Sequence, residues 1–142
     1  MVVKHVGVTG SREGMSQLQV EMVTRILCDL HTTDLHHGDC VGADKDAHMI
    51  GLIVGAKIHI HPPIWTKKRA NCDVRAGIDV IYPPKLFLAR DHDIVDATSA
   101  LIATPKQMTE HLRSGTWATV RYARKQRKPI YIIWPTGEVS KE

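Results

Sequence analysis

Residues 4–30 read KHVGVTGSREGMSQLQVEMVTRILCDL, a short β-rich run followed by a longer segment with helical periodicity. The β-rich part, residues 4–9, ends at a glycine. Ser16 and Gln19 have the spacing of a capping box, which marks the start of a helix. Apolar side chains recur every three or four residues around and beyond it, at Met15, Leu18, Met22, Ile26 and Leu30. The stretch therefore predicts a first strand and a first helix over about residues 15–30.

The same alternation of strand and helix continues along the chain. Further β-rich runs lie at residues 35–37, 57–61, 99–103 and 129–134, and helical stripes at residues 43–54, 86–97 and 116–128. Residues 62–85 are predicted to form a long loop. An extra short strand over residues 79–82 is an alternative within it. Alternation of this kind implies right-handed crossovers and a parallel sheet. We predict a single α/β domain over residues 1–142: a Rossmann-like, doubly wound, mostly parallel five-stranded sheet with helices on both faces.

Length and composition exclude several classes of protein. The chain has 142 residues, of which 43% are hydrophobic and 24% charged, so collagen, coiled coil and wholesale disorder are excluded. No apolar run approaches the ~20 residues of a membrane span, and the first residues lack the pattern of a signal peptide. We therefore expect a cytoplasmic protein without a membrane partner. The three cysteines form no CxxC pair, so neither a disulfide framework nor a zinc site is predicted.

The loops after the predicted strands carry small residues, hydroxyls and an arginine. In open parallel sheets, ligands bind beyond the carboxyl ends of the strands, where the strand order switches. In the first loop, Thr9 and Ser11 supply hydroxyl donors, Arg12 can pair with an anion, and Gly10 lets backbone approach a ligand. The loop is neither a P-loop nor a GxGxxG fingerprint, and an ordinary strand-to-helix turn is the alternative. The net charge of +4 also favours a phosphate-bearing partner, with a solvated basic surface as the alternative.

A second candidate anion site is Ser114-Gly115-Thr116, at the start of the last predicted helix. Free backbone N–H groups and the helix dipole favour an anion at such a position. Arg113 is adjacent, and the turn is expected beside the first loop in a doubly wound sheet. The alternative is that Ser114 only caps the helix.

Histidines and acidic residues give weaker candidates for a metal or catalytic site. His59 and His61 share one face of a predicted strand, but no third ligand is evident, so no metal site is predicted. Asp91, His92 and Asp93 are adjacent on a helix and so do not share a face.

Four motifs, taken in order, resemble the SLOG superfamily, whose members include the DNA-processing protein DprA and the LOG-type nucleoside-monophosphate phosphoribohydrolases. The motifs are Gly10-Ser11-Arg12, residues 37–44 with Ala47-His48, Tyr82-Pro83 with residues 87–94, and Ser114-Gly115-Thr116. The resemblance covers about residues 6–135. Short stand-alone proteins of phages and bacteria, of the YspA-like or YAcAr type, are the most similar members.

The resemblance implies a Rossmann-like fold with a pocket for a nucleotide or a nucleotide-derived signal. In the resulting hypothesis, phosphate is held by Ser11, Arg12, Gly115 and Thr116, while Gly38, Gly42 and Asp44 shape the pocket and meet ribose. In the N-glycosidase alternative given below, Arg90 can orient a phosphate. The protein is then a sensor or sequestering module for a phosphorylated, ADP-ribose-like molecule. No cofactor is expected. We expect the chain to form a homo-oligomer.

Two other functions are left open by the sequence. A nucleotide N-glycosidase needs a carboxylate against an oxocarbenium-like centre, and Glu13 or Asp44 can serve. LOG enzymes carry acidic residues after the glycine-threonine turn, however, and this chain has Ala118 and Thr119 there. A DprA-like DNA-binding module would use the basic residues 67–69 and the basic end of the last helix.

Overall fold

The computed structural model describes residues 1–142 and contains one sheet with helices on both faces. Its strands are β1 (His5–Gly10), β2 (Asp34–His37), β3 (Lys57–Ile60), β4 (Val80–Ile81), β5 (Ala100–Thr104), β6 (Ile130–Ile133) and β7 (Val139–Lys141). Its helices are α1 (Gln17–Asp29), α2 (Ala43–Ile53), α3 (Phe87–Asp96) and α4 (Gly115–Lys125), with a 3₁₀ turn at Thr66–Lys68. The strand order is β4-β3-β2-β1-β5-β6-β7. All neighbours are parallel except β6 and β7. The predicted α/β doubly wound fold is confirmed.

The sheet separates two apolar cores. One core packs α1 and α2 against side chains such as Val6, Leu35 and Ile58. The other packs α3 and α4 against the opposite face of β5 and β6, with Trp117 at its centre. Successive side chains of a strand point to opposite faces, and the continuous apolar runs of the central strands supply both cores.

The start of α1 follows the predicted capping box. The Ser16 hydroxyl accepts from the backbone N–H of Gln19 at 3.1 Å, and the side-chain oxygen Oε1 of Gln19 accepts from the backbone N–H of Ser16 at 2.8 Å. The Gln19 amide also donates to the carbonyls of Pro105 and Ile133, each at 2.8 Å. One buried side chain therefore fixes the helix start to β6 and to the loop after β5.

The predicted count of five strands is wrong, because the sheet has seven. The extra strand left open at residues 79–82 is present as β4, which has two residues and pairs with β3. The sequence analysis missed β7, whose three residues are all exposed and show no apolar alternation. Backbone pairing with β6, rather than side-chain burial, defines that strand.

Residues 62–85 are held by buried carboxylates instead of a core of their own. Asp39 accepts from Arg69 Nε at 2.7 Å and from the Cys72 N–H at 2.9 Å. Asp79 accepts from the Arg75 guanidinium and from the Ile58 N–H.

No helix has the length and hydropathy that a membrane span requires.

Candidate functional site

A cavity of about 520 Å³ opens beyond the carboxyl ends of the central strands. It lies at β1, between β2 and β5, where the strand order changes direction. This is the position at which doubly wound sheets bind ligands. The structure brings almost all the sequence-predicted site residues together on its wall, namely Thr9, Gly10, Ser11, Arg12, Glu13, Gly38, Asp44, Arg90, Ser114, Gly115 and Thr116. Their roles in binding stay predictions.

Gly42 is the predicted residue that does not line the cavity. It lies behind the first loop with φ +91°, and a Cβ there would overlap the carbonyls of Ser11 and Arg12. The Ala43 N–H donates to the Ser11 carbonyl at 2.9 Å, so the two glycine loops pack directly on each other. Gly42 is also the N-cap of α2, and Asp44 lies in the first turn of that helix.

The N-terminus of α4 is open to the cavity. The Ser114 hydroxyl accepts from the Trp117 N–H at 3.4 Å, so Ser114 is indeed the cap. The N–H groups of Gly115 and Thr116 have no acceptor within the helix, because they belong to its first turn. A Cβ placed on Gly115 would meet no atom within 4 Å. The capping and anion-site interpretations are therefore compatible, and the space beside Gly115 is open.

Two arginines on the cavity wall have no ion-pair or hydrogen-bond partner for their side chains. Arg12 and Arg113 are exposed, and neither makes an ion pair or a side-chain hydrogen bond. Arg12 lies over the ring of Phe87, 5.3 Å from its centroid. By contrast, the third cation at the rim, Lys106, pairs with Glu13 at 2.8 Å. The uncompensated positive charge is thus concentrated at Arg12 and Arg113.

Arg90 is engaged by the protein itself. It is buried, and it donates to Asp91 Oδ1 at 2.7 Å, to the His61 carbonyl at 3.2 Å and to the Gly38 carbonyl. Its remaining nitrogen lies 3.6 Å from Cys40 Sγ. The predicted orientation of phosphate by Arg90 therefore competes with contacts that join β2, β3 and α3. Arg90 therefore acts as a structural residue that links these elements in the cavity floor.

Buried carboxyls lie beside this arginine. Burial raises the pKa of Asp44 to about 6, although Arg90 and the Cys40 N–H, which donates at 3.1 Å, favour its ionised form. Burial likewise raises the pKa of Asp91 against the effect of Arg90. Burial and Asp44 raise the pKa of the Cys40 thiol, which disfavours the thiolate that a nucleophile needs.

Sequence analysis missed Asp91, Lys106 and Gln107 as cavity residues and did not assign Phe87 a role. The sequence does contain a signal for the residues on α3, namely their helical spacing. The cavity-facing side of this helix carries Phe87, Arg90, Asp91 and Ile94 at i, i+3, i+4 and i+7. The prediction that Asp91, His92 and Asp93 diverge is confirmed. His92 stacks on Tyr122 with ring centroids 3.7 Å apart, and Asp93 pairs with Lys85 at 2.6 Å.

From the sequence no third ligand is evident for His59 and His61, but in the structure two further histidines lie near His59. His5 and His36 lie beside it, and one ligating nitrogen from each of the three lies within 4.8 Å of the others. His61 is hydrogen-bonded to His36 at 2.9 Å. None of these four histidines lines the cavity. Parallel pairing of three strands brought the histidines together, and residue spacing alone did not show this.

Comparison with known proteins gives structural neighbours only. No protein-family model and no curated protein sequence matches the chain. DprA from Streptococcus pneumoniae superposes with a TM-score of 0.69 at 25% identity, over 91% of this chain and 50% of DprA. A molybdenum cofactor binding protein from Rippkaea orientalis gives 0.68 at 18% identity, over 94% of this chain and 78% of that protein. The Moco carrier protein from Chlamydomonas reinhardtii gives 0.65 at 20% identity, over 91% and 75% of the two chains.

These neighbours confirm the predicted resemblance at the level of the fold, which is DprA-like and LOG-like. The chain spans half the length of DprA. The finer assignment to the stand-alone YspA-like type stays a prediction.

Asp44 gives the free energy of unfolding a pH dependence. Because its pKa is raised from 3.8 to about 6 on folding, its stabilising contribution is complete below pH 3.8 and is lost as the pH rises through 6. The loss is about 3 kcal/mol, at roughly 1.4 kcal/mol for each pH unit. We expect the difference in unfolding free energy, wild type minus Asp44→Asn, to fall by most of this amount between pH 4 and pH 8 in urea denaturation. A difference that is flat or grows with pH would contradict the assignment.

Proposed function

We propose that the chain binds a phosphorylated small molecule of nucleotide type, such as an ADP-ribose-like ligand, in the cavity at β1, as a sensor or sequestering module. The observation that carries the proposal is the pair of unpartnered arginines, Arg12 and Arg113, on a cavity wall that also contains the open N-terminus of α4. Arginine binds phosphate through charge-assisted, often bidentate hydrogen bonds. A helix N-terminus adds oriented N–H donors at the same point.

Cavity size and neighbours support a small ligand. A volume of about 520 Å³ is within the range of small-molecule sites, roughly 300–1,000 Å³. Two structural neighbours are described as a molybdenum cofactor binding protein and a Moco carrier protein, so the same fold is used to hold a small cofactor. In this chain the hydroxyls of Thr9, Ser11 and Thr116 add donors or acceptors for a polar ligand along the cavity wall.

The second candidate is an N-glycosidase acting on a nucleotide. It is favoured by one observation, the buried carboxyl of Asp44 and the largely buried carboxyl of Asp91 on the wall of the cavity. Asp91 belongs to α3, yet it lies near Thr119 of α4, one of the positions where LOG enzymes carry an acid. The Thr119 hydroxyl itself donates to the Gly115 carbonyl at 2.9 Å. It therefore places a carboxyl close to a position that the sequence left without one.

DNA binding through the basic segments has weaker support, although DprA is a structural neighbour. In α4, Arg121 pairs with Glu110 at 3.2 Å, and Arg124 pairs with Glu110 and Glu142, each at 2.7 Å. In residues 67–69, Arg69 is committed to Asp39. These pairs reduce the charge available for phosphate contacts. The predicted homo-oligomer stays a prediction.

The first test of the proposal is Arg12→Ala. We expect it to weaken the binding of ADP-ribose or AMP by ~1.5–3 kcal/mol in isothermal titration, the range for a hydrogen bond to a charged group. Adenosine, which lacks phosphate, should bind weakly to both proteins. Arg25→Ala, an exposed arginine of α1, is the matched control and should leave affinity unchanged. Equal affinity of wild type and Arg12→Ala would refute the assignment. Native mass spectrometry of the purified chain would identify a retained ligand.

Gly115→Val tests the helix N-terminus. Since a side chain at residue 115 enters open space, the fold should lose less than ~1 kcal/mol, while phosphate is blocked from the free N–H groups. We expect affinity for AMP to fall at least tenfold with little change in Tm. Intact affinity together with a large loss of Tm would contradict a phosphate role for this turn.

Base release from nucleoside monophosphates should be slight or absent. Each available carboxyl is committed: Glu13 to Lys106, Asp44 to the Cys40 N–H and Asp91 to Arg90. Chromatography of products from a nucleotide panel is the measurement, with Glu13→Gln, Asp44→Asn and Asp91→Asn as matched variants. Turnover at ~1 s⁻¹ or faster that any of these variants abolishes would replace the binding function with the glycosidase.

A further inference from the structure

A cluster of histidines lies on the sheet, separate from the cavity. It consists of His5 on β1, His36 on β2 and His59 on β3, with Asp34 at the start of β2. The rings of His36 and His59, which face each other in the parallel register, are stacked with centroids 4.0 Å apart. His5 Nδ1 is 3.0 Å from His36 Nε2, and His59 Nε2 is 2.7 Å from Asp34 Oδ2.

The cluster arises from strand alternation. Val6, Leu35 and Ile58 point into the core beneath α1 and α2, so their neighbours His5, His36 and His59 share the opposite face. On β5 and β6 that opposite face is apolar and is covered by α3 and α4. On β1 to β3 it carries imidazoles, with His36 and His59 almost fully buried. Buried histidines in two adjacent strands are a costly replacement for an apolar layer unless they are paired or bind a ligand.

We propose that His5, His36, His59 and Asp34 bind one divalent transition-metal ion, with Zn²⁺ the best fit, and that the ion links β1, β2 and β3. Imidazole nitrogens and a carboxylate oxygen are ligands that zinc accepts in tetrahedral sites. In such a site, ligand atoms at about 2.0–2.1 Å from the metal lie about 3.4 Å from one another. The three histidine nitrogens lie within 4.8 Å of one another, so small ring movements suffice. Asp34 would supply the fourth ligand from the rim of this group, since its Oδ1 lies 3.9 Å from His5 Nε2 and its Oδ2 lies 2.7 Å from His59 Nε2.

The outer contacts allow His36 and His59 to release their Nε2 protons. A coordinating nitrogen must carry no proton, so the proton must sit on the other ring nitrogen and be accepted there. His36 Nδ1 faces His61 Nε2 at 2.9 Å, and His59 Nδ1 faces the Tyr82 hydroxyl at 2.9 Å. A neutral imidazole and a hydroxyl both accept or donate, so either tautomer is accommodated. Asp34 is oriented by the Thr33 hydroxyl at 2.7 Å.

A second group of metal-ligand type, His37, His48 and Cys72, fails the same test. The Asp39 N–H donates to His37 Nδ1 at 2.9 Å, and a backbone N–H cannot become an acceptor. The proton of His37 is thus fixed on Nε2, the nitrogen that faces His48. Burial and Asp39 raise the pKa of the Cys72 thiol to about 12, which disfavours the thiolate ligand. This contrast selects the cluster of His5, His36 and His59.

The first cluster is also accessible. The His5 side chain is 41% exposed and that of Asp34 17%, so an ion can enter from solvent at the edge of the cluster. The buried rings of His36 and His59 then supply ligands that need little further ordering.

The test is metal binding by the full, tag-free chain after chelator treatment. Co²⁺ serves as the spectroscopic probe and Zn²⁺ as its competitor, followed by visible absorption and calorimetry. We expect one Co²⁺ per chain with the absorption of a tetrahedral nitrogen and oxygen site, displacement by Zn²⁺, and a higher Tm with Zn²⁺ bound. His5→Gln and His59→Gln should each weaken binding at least tenfold. His111→Gln, an exposed histidine outside the cluster, is the matched control and should bind as wild type does.

Cys72→Ser distinguishes the second group. Sulfur-to-cobalt charge transfer that disappears in Cys72→Ser would assign the ion there and overturn the proposal. Absence of saturable one-to-one binding, or affinity unchanged in both His5→Gln and His59→Gln, would overturn it as well. Because His5 is partly exposed, His5→Gln decides the question even if His59→Gln fails to fold, with circular dichroism as the check on folding.

Discussion

The buried guanidinium of Arg90 is the contact on which the geometry of the cavity depends. A charge taken out of water is strongly destabilising unless its hydrogen bonds are made, and Arg90 makes them to a carboxylate of its own helix and to carbonyls after β2 and β3. Gly38 has no side chain because a Cβ would overlap this guanidinium. The ends of two strands and α3 are therefore held in one arrangement by a single side chain. The cavity floor is built from this arrangement.

Around that floor, the site combines fixed and free charge. Arg90 is neutralised by its surroundings, whereas Arg12 and Arg113 lie at the wall without partners. Free cations are available to a ligand because their interactions are not already made, and the same holds for the first-turn N–H groups of α4. The free groups explain why we favour an anionic ligand. The committed state of the carboxyls explains why we favour binding over catalysis.

Sequence periodicity predicted the order of most elements because each buries an apolar face of regular spacing. It placed the wall of the cavity as well, since loops after parallel strands meet at one edge of the sheet. It failed where backbone pairing or long-range contact decides the outcome. β7 has no buried side chain, Asp91 was considered only together with His92 and Asp93, with which it shares no helix face, and the histidine cluster depends on the register of three strands. Arg90 could be assigned to the cavity from the sequence, but its two carbonyl partners could not, because Gly38 and His61 lie 52 and 29 residues away.

The two edges of the sheet restrict how copies of this chain can meet. At one edge, β4 pairs over two residues and runs into Pro83-Pro84, which have no N–H groups to donate. At the other edge, β7 is an exposed three-residue strand that carries Lys141. Short, charged or proline-blocked edges discourage strand addition from another molecule. A continuous intermolecular sheet, with the fibrous aggregation it invites, is thereby disfavoured, and any self-association is directed to the helical faces.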